Sequence, residues 1–266
     1  MTRRLCLVTG ASAGIGQAFA RIFASHGYDL ALTARRGERL EQLAEEIRLR
    51  YGVETLAVPA DLADPGAGAH LIETLTANGR VVDALVNNAG YGLRGAYAAT
   101  AWEEERAFLQ VLLIAVCELT HRLLPGMIER RFGRIVNVAS LSGLVPGAPG
   151  RTLYGATKSF LVKFSESLHL ETRDQGVHVS ALCPGLTYSE FHDANQTRES
   201  LERLTPEWLW LGADEVAAAG YEAVEANRII CVPGAPNKAI AVLAKLAPED
   251  WALALMGREQ RRIGRL

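Results

Sequence analysis

Seven short, nearly continuous apolar runs lie along this chain, with longer helical stretches between them. The runs are LCLVT (5–9), YDLALTA (28–34), VETLAVPA (53–60), DALVNNA (83–89), GRIVNVAS (133–140), VHVSALCP (177–184) and RIICVP (228–233). A strand that reads apolar at every position has no face for water, so each run is expected inside a parallel sheet covered on both sides. Helical patterns at 16–26, 38–50, 102–131 and 152–175 supply that cover. Repeated strand–helix units of this kind imply right-handed crossovers and a doubly wound α/β domain. The chain shows no repeat, low-complexity tract or Pro/Ser-rich linker, and one domain over 1–266 is expected.

Composition removes several classes of function. With 28 Lys+Arg against 30 Asp+Glu the formal charge is −2, not the basic excess of a general nucleic-acid binder. A 49% hydrophobic and 22% charged composition is that of a folded domain. The four cysteines, Cys6, Cys117, Cys183 and Cys231, form no CxxC pair and have no histidine at zinc spacing. Core thiols and no metal are expected. The apolar run before Gly10 is shorter than the roughly 7–15 residues of a secretory core. The longest apolar stretch, Val111 to Cys117, falls short of the ~20 residues of a membrane span. The expectation is a cytoplasmic protein with neither membrane nor nucleic-acid partner. The basic end, GREQRRIGRL, reads as a solvated face.

The first run leads directly into TGASAGIG (9–16). A pyrophosphate needs close backbone approach and free N–H donors at a helix start, and a glycine turn between strand and helix provides both. Gly10, Ser12, Gly14, Ile15 and Gly16 are therefore candidate dinucleotide contacts. Where an NAD site places an acid after the second strand, this chain reads Ala34-Arg35-Arg36. A guanidinium suits a 2′-phosphate and a carboxylate repels it, which favours NADP(H), with Arg35 as leading contact. The alternative is that both arginines only solvate the next helix.

YGATK places Tyr154 and Lys158 four residues apart, on one face of a helix. A phenol titrates near pH 10, and a neighbouring ammonium is expected to lower that value. Tyr154 is thus a candidate general acid for carbonyl reduction and base for alcohol oxidation. Ser140, at the end of a strand, is placed to polarise the carbonyl oxygen.

TGASAGIG, NNAG at 87–90, Ser140 with YGATK, and the Pro184-Gly185 turn together resemble the short-chain dehydrogenase/reductase superfamily over about residues 5–233. The resemblance implies a single Rossmann-type domain with seven parallel strands ordered 3-2-1-4-5-6-7. It implies an enzyme that interconverts a small carbonyl compound and an alcohol with NADP(H). It places Asp61 and Leu62 at the adenine, Asn88, Ala89 and Gly90 along the middle of the cofactor, and Pro184, Gly185, Thr187 and Ser189 near the nicotinamide. Tyr154 and Lys158 would also touch the nicotinamide ribose. Dimers or tetramers built on the helices at 102–131 and 152–175 are expected as well.

Three departures stand out. Leu112 occupies the position where relatives carry an Asn that relays protons to the lysine. The Ser140-to-Tyr154 interval is 14 where 13 is usual, and the additional residue is expected in the loop VPGAPGR, with Ser142 as fallback. Ala13 stands where NADP-preferring relatives often have a basic residue, leaving Arg35 the main charge for the phosphate. Residues 189–212, with Phe191, Trp208 and Trp210, are the expected substrate lid. Its aromatics suit an apolar carbonyl compound or act as packing anchors. Residues 234–266 are expected to form a helical tail. A non-catalytic NADP(H)-binding sensor or scaffold is the alternative function.

Overall fold

The structure is a computed structural model that describes residues 3–93, 95–191, 198–248, 250–251 and 253–254. Its chain order starts with β1 (Leu5–Thr9), α1 (Gly14–Ser25), β2 (Asp29–Thr33), α2 (Gly37–Tyr51), β3 (Thr55–Ala57), α3 (Ala67–Ala77) and β4 (Val82–Asn87). Then come α4 (Trp102–Leu109), a π turn (Gln110–Ile114), α5 (Ala115–Glu129), β5 (Gly133–Val138), α6 (Thr152–Thr172) and β6 (Val177–Leu182). The last elements are β7 (Thr187–Tyr188), α7 (Arg198–Leu204), β8 (Leu211–Gly212), α8 (Ala213–Glu225), β9 (Ile230–Cys231) and α9 (Ala235–Leu246).

Seven strands form one parallel sheet in the order β3-β2-β1-β4-β5-β6-β9. This is the expected order. The seventh sheet strand is the ninth in the chain because β7 and β8 pair separately, Thr187 with Leu211 and Tyr188 with Gly212. The outermost strands are shorter than their apolar runs, three residues in β3 and two in β9, since an edge strand has one neighbour to pair with.

Successive side chains of a strand point to opposite faces, and β1 shows the result. Cys6 and Val8 enter a core with Phe19, Phe23, Leu40 and Ile47 under α1 and α2. Leu5 and Leu7 enter another with Leu71, Leu119 and Met127 under α3 and α5. Helices α1, α2 and α8 cover one face of the sheet; α3, α5 and α6 cover the other. The Trp102–Glu129 rod, 28 residues, is long and apolar enough by composition to cross a membrane. Here Phe108, Val111, Leu112 and Leu119 are buried against the body of the domain.

All four cysteines are free; Cys6 and Cys183 are buried, and burial raises both thiols, Cys183 to about 12.

Candidate active site

The carboxyl ends of β1, β4, β5 and β6 meet at one edge of the sheet, where a doubly wound fold opens its crevice. At β1 the chain turns through Gly10 and Gly14, both in the left-handed region (φ 65° and 54°). Gly16 is needed for a different reason. A Cβ there would lie 2.3 Å from the Gly10 carbonyl oxygen and 2.5 Å from Asn88 Nδ2. The turn is also stapled to the NNAG loop: Asn88 Nδ2 donates to the Thr9 carbonyl (2.9 Å), and Thr9 Oγ1 accepts from the Asn88 and Ala89 amides. Thr9 is a positioning residue that motif reading passed over. Because α1 begins without a side-chain cap or a first-turn acid, its leading N–H groups remain available to an anion. The bare glycine cradle and this uncapped helix start fit a dinucleotide pyrophosphate.

Arg35 is exposed just beyond β2, and its charge bears on Tyr91. Its neighbour Arg36 reaches the cradle itself, with Nη2 3.0 Å and Nε 3.2 Å from Ser12 Oγ. Arg36 also pairs with Glu190 at 2.7 Å, and Arg39 grips the same carboxylate. Asp61 is exposed and accepts from the Ala63 amide; Leu62 is buried beside it. No motif pointed to Glu190, since its partners lie more than 150 positions away in the chain.

At the other end of the crevice, β5 delivers Ser140 and α6 delivers Tyr154 and Lys158. Ser140 Oγ accepts the Ser142 amide (3.1 Å), which leaves its own proton free to donate. It hydrogen-bonds the Tyr154 phenol and pulls that group's pKa down, as the Arg151 charge does, but burial outweighs both and the phenol is raised. The expected ammonium effect is not among the causes: Lys158 Nζ lies over the ring, 5.7 Å from its centre. Lys158 is itself buried, donates to the Val138 carbonyl at 2.7 Å, and is lowered to about 8 by desolvation. Ser140 lies against the Tyr154 phenol, and Ser142 contributes its backbone amide to the Ser140 hydroxyl.

Leu112 sits within the π turn and is 1% exposed, in an apolar cluster that Tyr154 packs against. Its Cγ lies 3.5 Å from where a Gly90 Cβ would be. The position expected to hold a relay amide is a buried leucine in apolar surroundings.

On the substrate side the aromatics separate by role. Phe191 tilts against Tyr154 with ring centres 5.9 Å apart. Trp210 is buried, stacks on Tyr188 and donates to Thr205, and Trp208 is exposed. Thr187 is buried in β7, and Ser189 packs against Gly14. The Pro184 carbonyl accepts from Leu141, and Gly185 lies flush against Asn237. Residues 192–197 of the expected lid lie outside the described residues. A shallow, solvent-open depression next to Tyr154 is lined by Leu93, Tyr97, Arg151 and Glu105. Glu105 is buried there with one carboxylate oxygen lacking a hydrogen-bond partner.

Comparison with known proteins identifies the family and agrees with the fold. Residues 4–200 match the short chain dehydrogenase family, and the chain belongs to that family of oxidoreductases. It is 36% identical over 215 residues to an NADP-dependent 3-hydroxy acid dehydrogenase of Salmonella typhi, covering 76% of this chain and 84% of that one. A short-chain dehydrogenase from Sphingobium yanoikuyae, solved with NADPH, superposes with a TM-score of 0.77 at 31% identity over 86% of this chain and 87% of that one. A short-chain dehydrogenase/reductase from Burkholderia phymatum, solved with NAD, gives 0.79 at 27% identity over 91% and 92%.

Proposed function

We propose that this protein is a single-domain, NADP(H)-dependent reductase of ketones or aldehydes that also runs as an alcohol dehydrogenase. The observation that carries the reading is the convergence of Ser140, Tyr154 and Lys158 at the end of a glycine cradle. When bound, NADPH would supply the hydride. Gly10, Ser12, Gly14, Ile15 and Gly16 would hold its pyrophosphate, Asp61 and Leu62 the adenine, and Arg35 with Arg36 the 2′-phosphate. Asn88, Ala89, Gly90, Pro184, Gly185, Thr187 and Ser189 would line the remainder.

Tyr154 gives its proton to the substrate oxygen while the Ser140 hydroxyl donates to the same oxygen. The Ser140 hydrogen bond and the Arg151 charge favour the phenolate left behind, and Lys158, with Nζ 5.7 Å from the ring centre, would hold the nicotinamide ribose beside it. In the alcohol direction Tyr154 takes the proton back. Lys158 titrates near 8, so both of its protonation states are accessible around neutral pH. Phe191 and the β7–β8 ribbon belong to the lid, with Trp210 its anchor. The helical tail at 234–266, cytoplasmic residence and a homodimer or homotetramer through α4–α5 and α6 remain part of the proposal.

The apolar Leu112 favours a second reading, a weakly catalytic NADP(H)-binding sensor. One experiment separates the two. A panel of ketones, aldehydes and 3-hydroxy acids is assayed by nicotinamide absorbance, and both cofactors are titrated against wild type and Arg35→Ala. NADPH-dependent turnover supports the enzyme, binding without turnover supports the sensor, and equal or tighter NADH binding by wild type overturns the cofactor assignment.

A further inference from the structure

Helix α4 carries three glutamates in its first turn, and the fold treats them differently. Glu103 and Glu104 are exposed, whereas Glu105 is 5% exposed. A glutamate is almost never buried to that extent without a partner. This one has an oxygen, Oε2, with no hydrogen bond, and among the described residues it makes no ion pair. The positive end of α4 favours its charge, yet no N–H of that turn reaches Oε2. Glu105 lines the depression beside Tyr154.

Arg151 lines the same depression from the head of α6. Its charge bears on the Tyr154 phenol, which puts it near the place of the reacting carbonyl. It gives one long hydrogen bond, 3.4 Å to Ser142 Oγ, and pairs with no carboxylate among the described residues. An acceptor without a donor and a cation without an anion thus border one small space next to the proton donor. Their signs decide what fits there. A substrate carboxylate would suit Arg151 but set a like charge against Glu105, and an ammonium would do the reverse. An apolar chain would leave the Glu105 oxygen unpaired. A hydroxyl serves both, since it donates to one group and accepts from the other.

We propose that Glu105 is a specificity-determining residue that accepts a hydrogen bond from a hydroxyl of the substrate, with Arg151 donating to the same hydroxyl. The inference rests on the carbonyl-reductase reading and narrows its substrates to hydroxyketones and the diols they yield. The hydroxyl takes no part in hydride transfer; it fixes how the substrate lies against Tyr154 and Ser140.

Matched substrates reduced with NADPH test the proposal. Hydroxyacetone is set against butan-2-one, and 4-hydroxybutan-2-one against pentan-2-one, so that a methyl replaces the hydroxyl in each pair. Acetoacetate and aminoacetone supply the charged counterparts. Wild type is expected to favour at least one hydroxyketone over its plain partner by about tenfold or more in kcat/KM. Glu105→Leu should lose that preference, and Glu105→Gln, whose amide oxygen still accepts, should keep part of it. The melting temperature of Glu105→Leu should not fall, because an apolar side chain of similar size replaces an unpaired carboxylate. Equal rates within both pairs, a preference that survives Glu105→Leu, or a stronger preference for either charged counterpart overturns the proposal and leaves the reductase reading standing. So does a large drop in the melting temperature of Glu105→Leu, which would make Glu105 a structural group. No turnover of any carbonyl compound by wild type overturns both readings.

Discussion

The two ends of the crevice are built from different materials. At the β1–α1 turn the shape is made by backbone: Gly10 and Gly14 take left-handed angles, and Gly16 leaves room for a carbonyl and an amide. At the start of α6 it is made by side chains, and Ser140, Lys158 and Leu112 are all buried. A backbone site tolerates no added atom and carries no titratable group. A side-chain site tolerates isosteric change in shape but loses its chemistry when one polar atom goes. Binding and reaction should therefore be separable by mutation.

The largest effect is expected at the side-chain end. Tyr154→Phe removes only the phenol oxygen, so turnover should fall by ~10²–10⁴-fold, the usual worth of a positioned proton donor. NADPH affinity, followed by nicotinamide fluorescence, should stay close to wild type. Turnover of a confirmed substrate at the wild-type rate would remove Tyr154 from the chemistry.

Gly16→Ala should do the converse. Its Cβ would meet the Gly10 carbonyl oxygen at 2.3 Å, and backbone cannot swing aside as a flexible side chain does. A cost of roughly 1–3 kcal/mol is expected from overpacking. It should appear as a lower melting temperature together with weaker NADPH binding. An alanine variant with unchanged binding would mean that the cradle is looser than its glycines imply.

These contrasts follow what was legible in the sequence. The strands themselves, the glycine turn and the Tyr154–Lys158 pair are short-range patterns, set by period, φ sign and helical spacing, whereas the order of the strands came only from the family resemblance. The two short strands β7 and β8 were not legible, because two residues give no period to read. Nor was the break in the rod at 102–131, where the apolar pattern runs on through a π turn. The direction of the Tyr154 shift was missed for a physical reason: spacing along a helix gives proximity to Lys158, but only the packed surroundings give the desolvation that outweighs it. Arg36 and Glu190 meet only because the lid root folds back over the cradle.

Leu112→Asn asks how dry the side-chain end is. Leu112 is 1% exposed in an apolar cluster with Phe108, Val111 and Ala115. The expected result is a loss of roughly 1–3 kcal/mol of stability from a buried unpaired amide, measured by chemical denaturation. A stable variant with faster reduction would instead place a proton path past this position to Lys158.

The smallest effect is expected where the two ends are joined. Glu190 belongs to the lid root, and Arg36 and Arg39 belong to the adenosine side of the crevice, so their ion pairs tie one to the other. All three side chains are close to half exposed, and pairs of that kind contribute about 0–1 kcal/mol. The carboxylate also occupies one edge of the guanidinium that rests on Ser12, and its charge opposes a phosphate there. Glu190→Gln should therefore tighten NADP(H) by up to about fivefold while leaving NAD(H) little changed, and raised salt should shrink the difference. Isothermal titration at two salt concentrations measures it. Weaker NADP(H) binding by the variant would reverse the assignment. In that case the pairs would act as a clasp over the cofactor, and the lid root would belong to the binding end of the crevice.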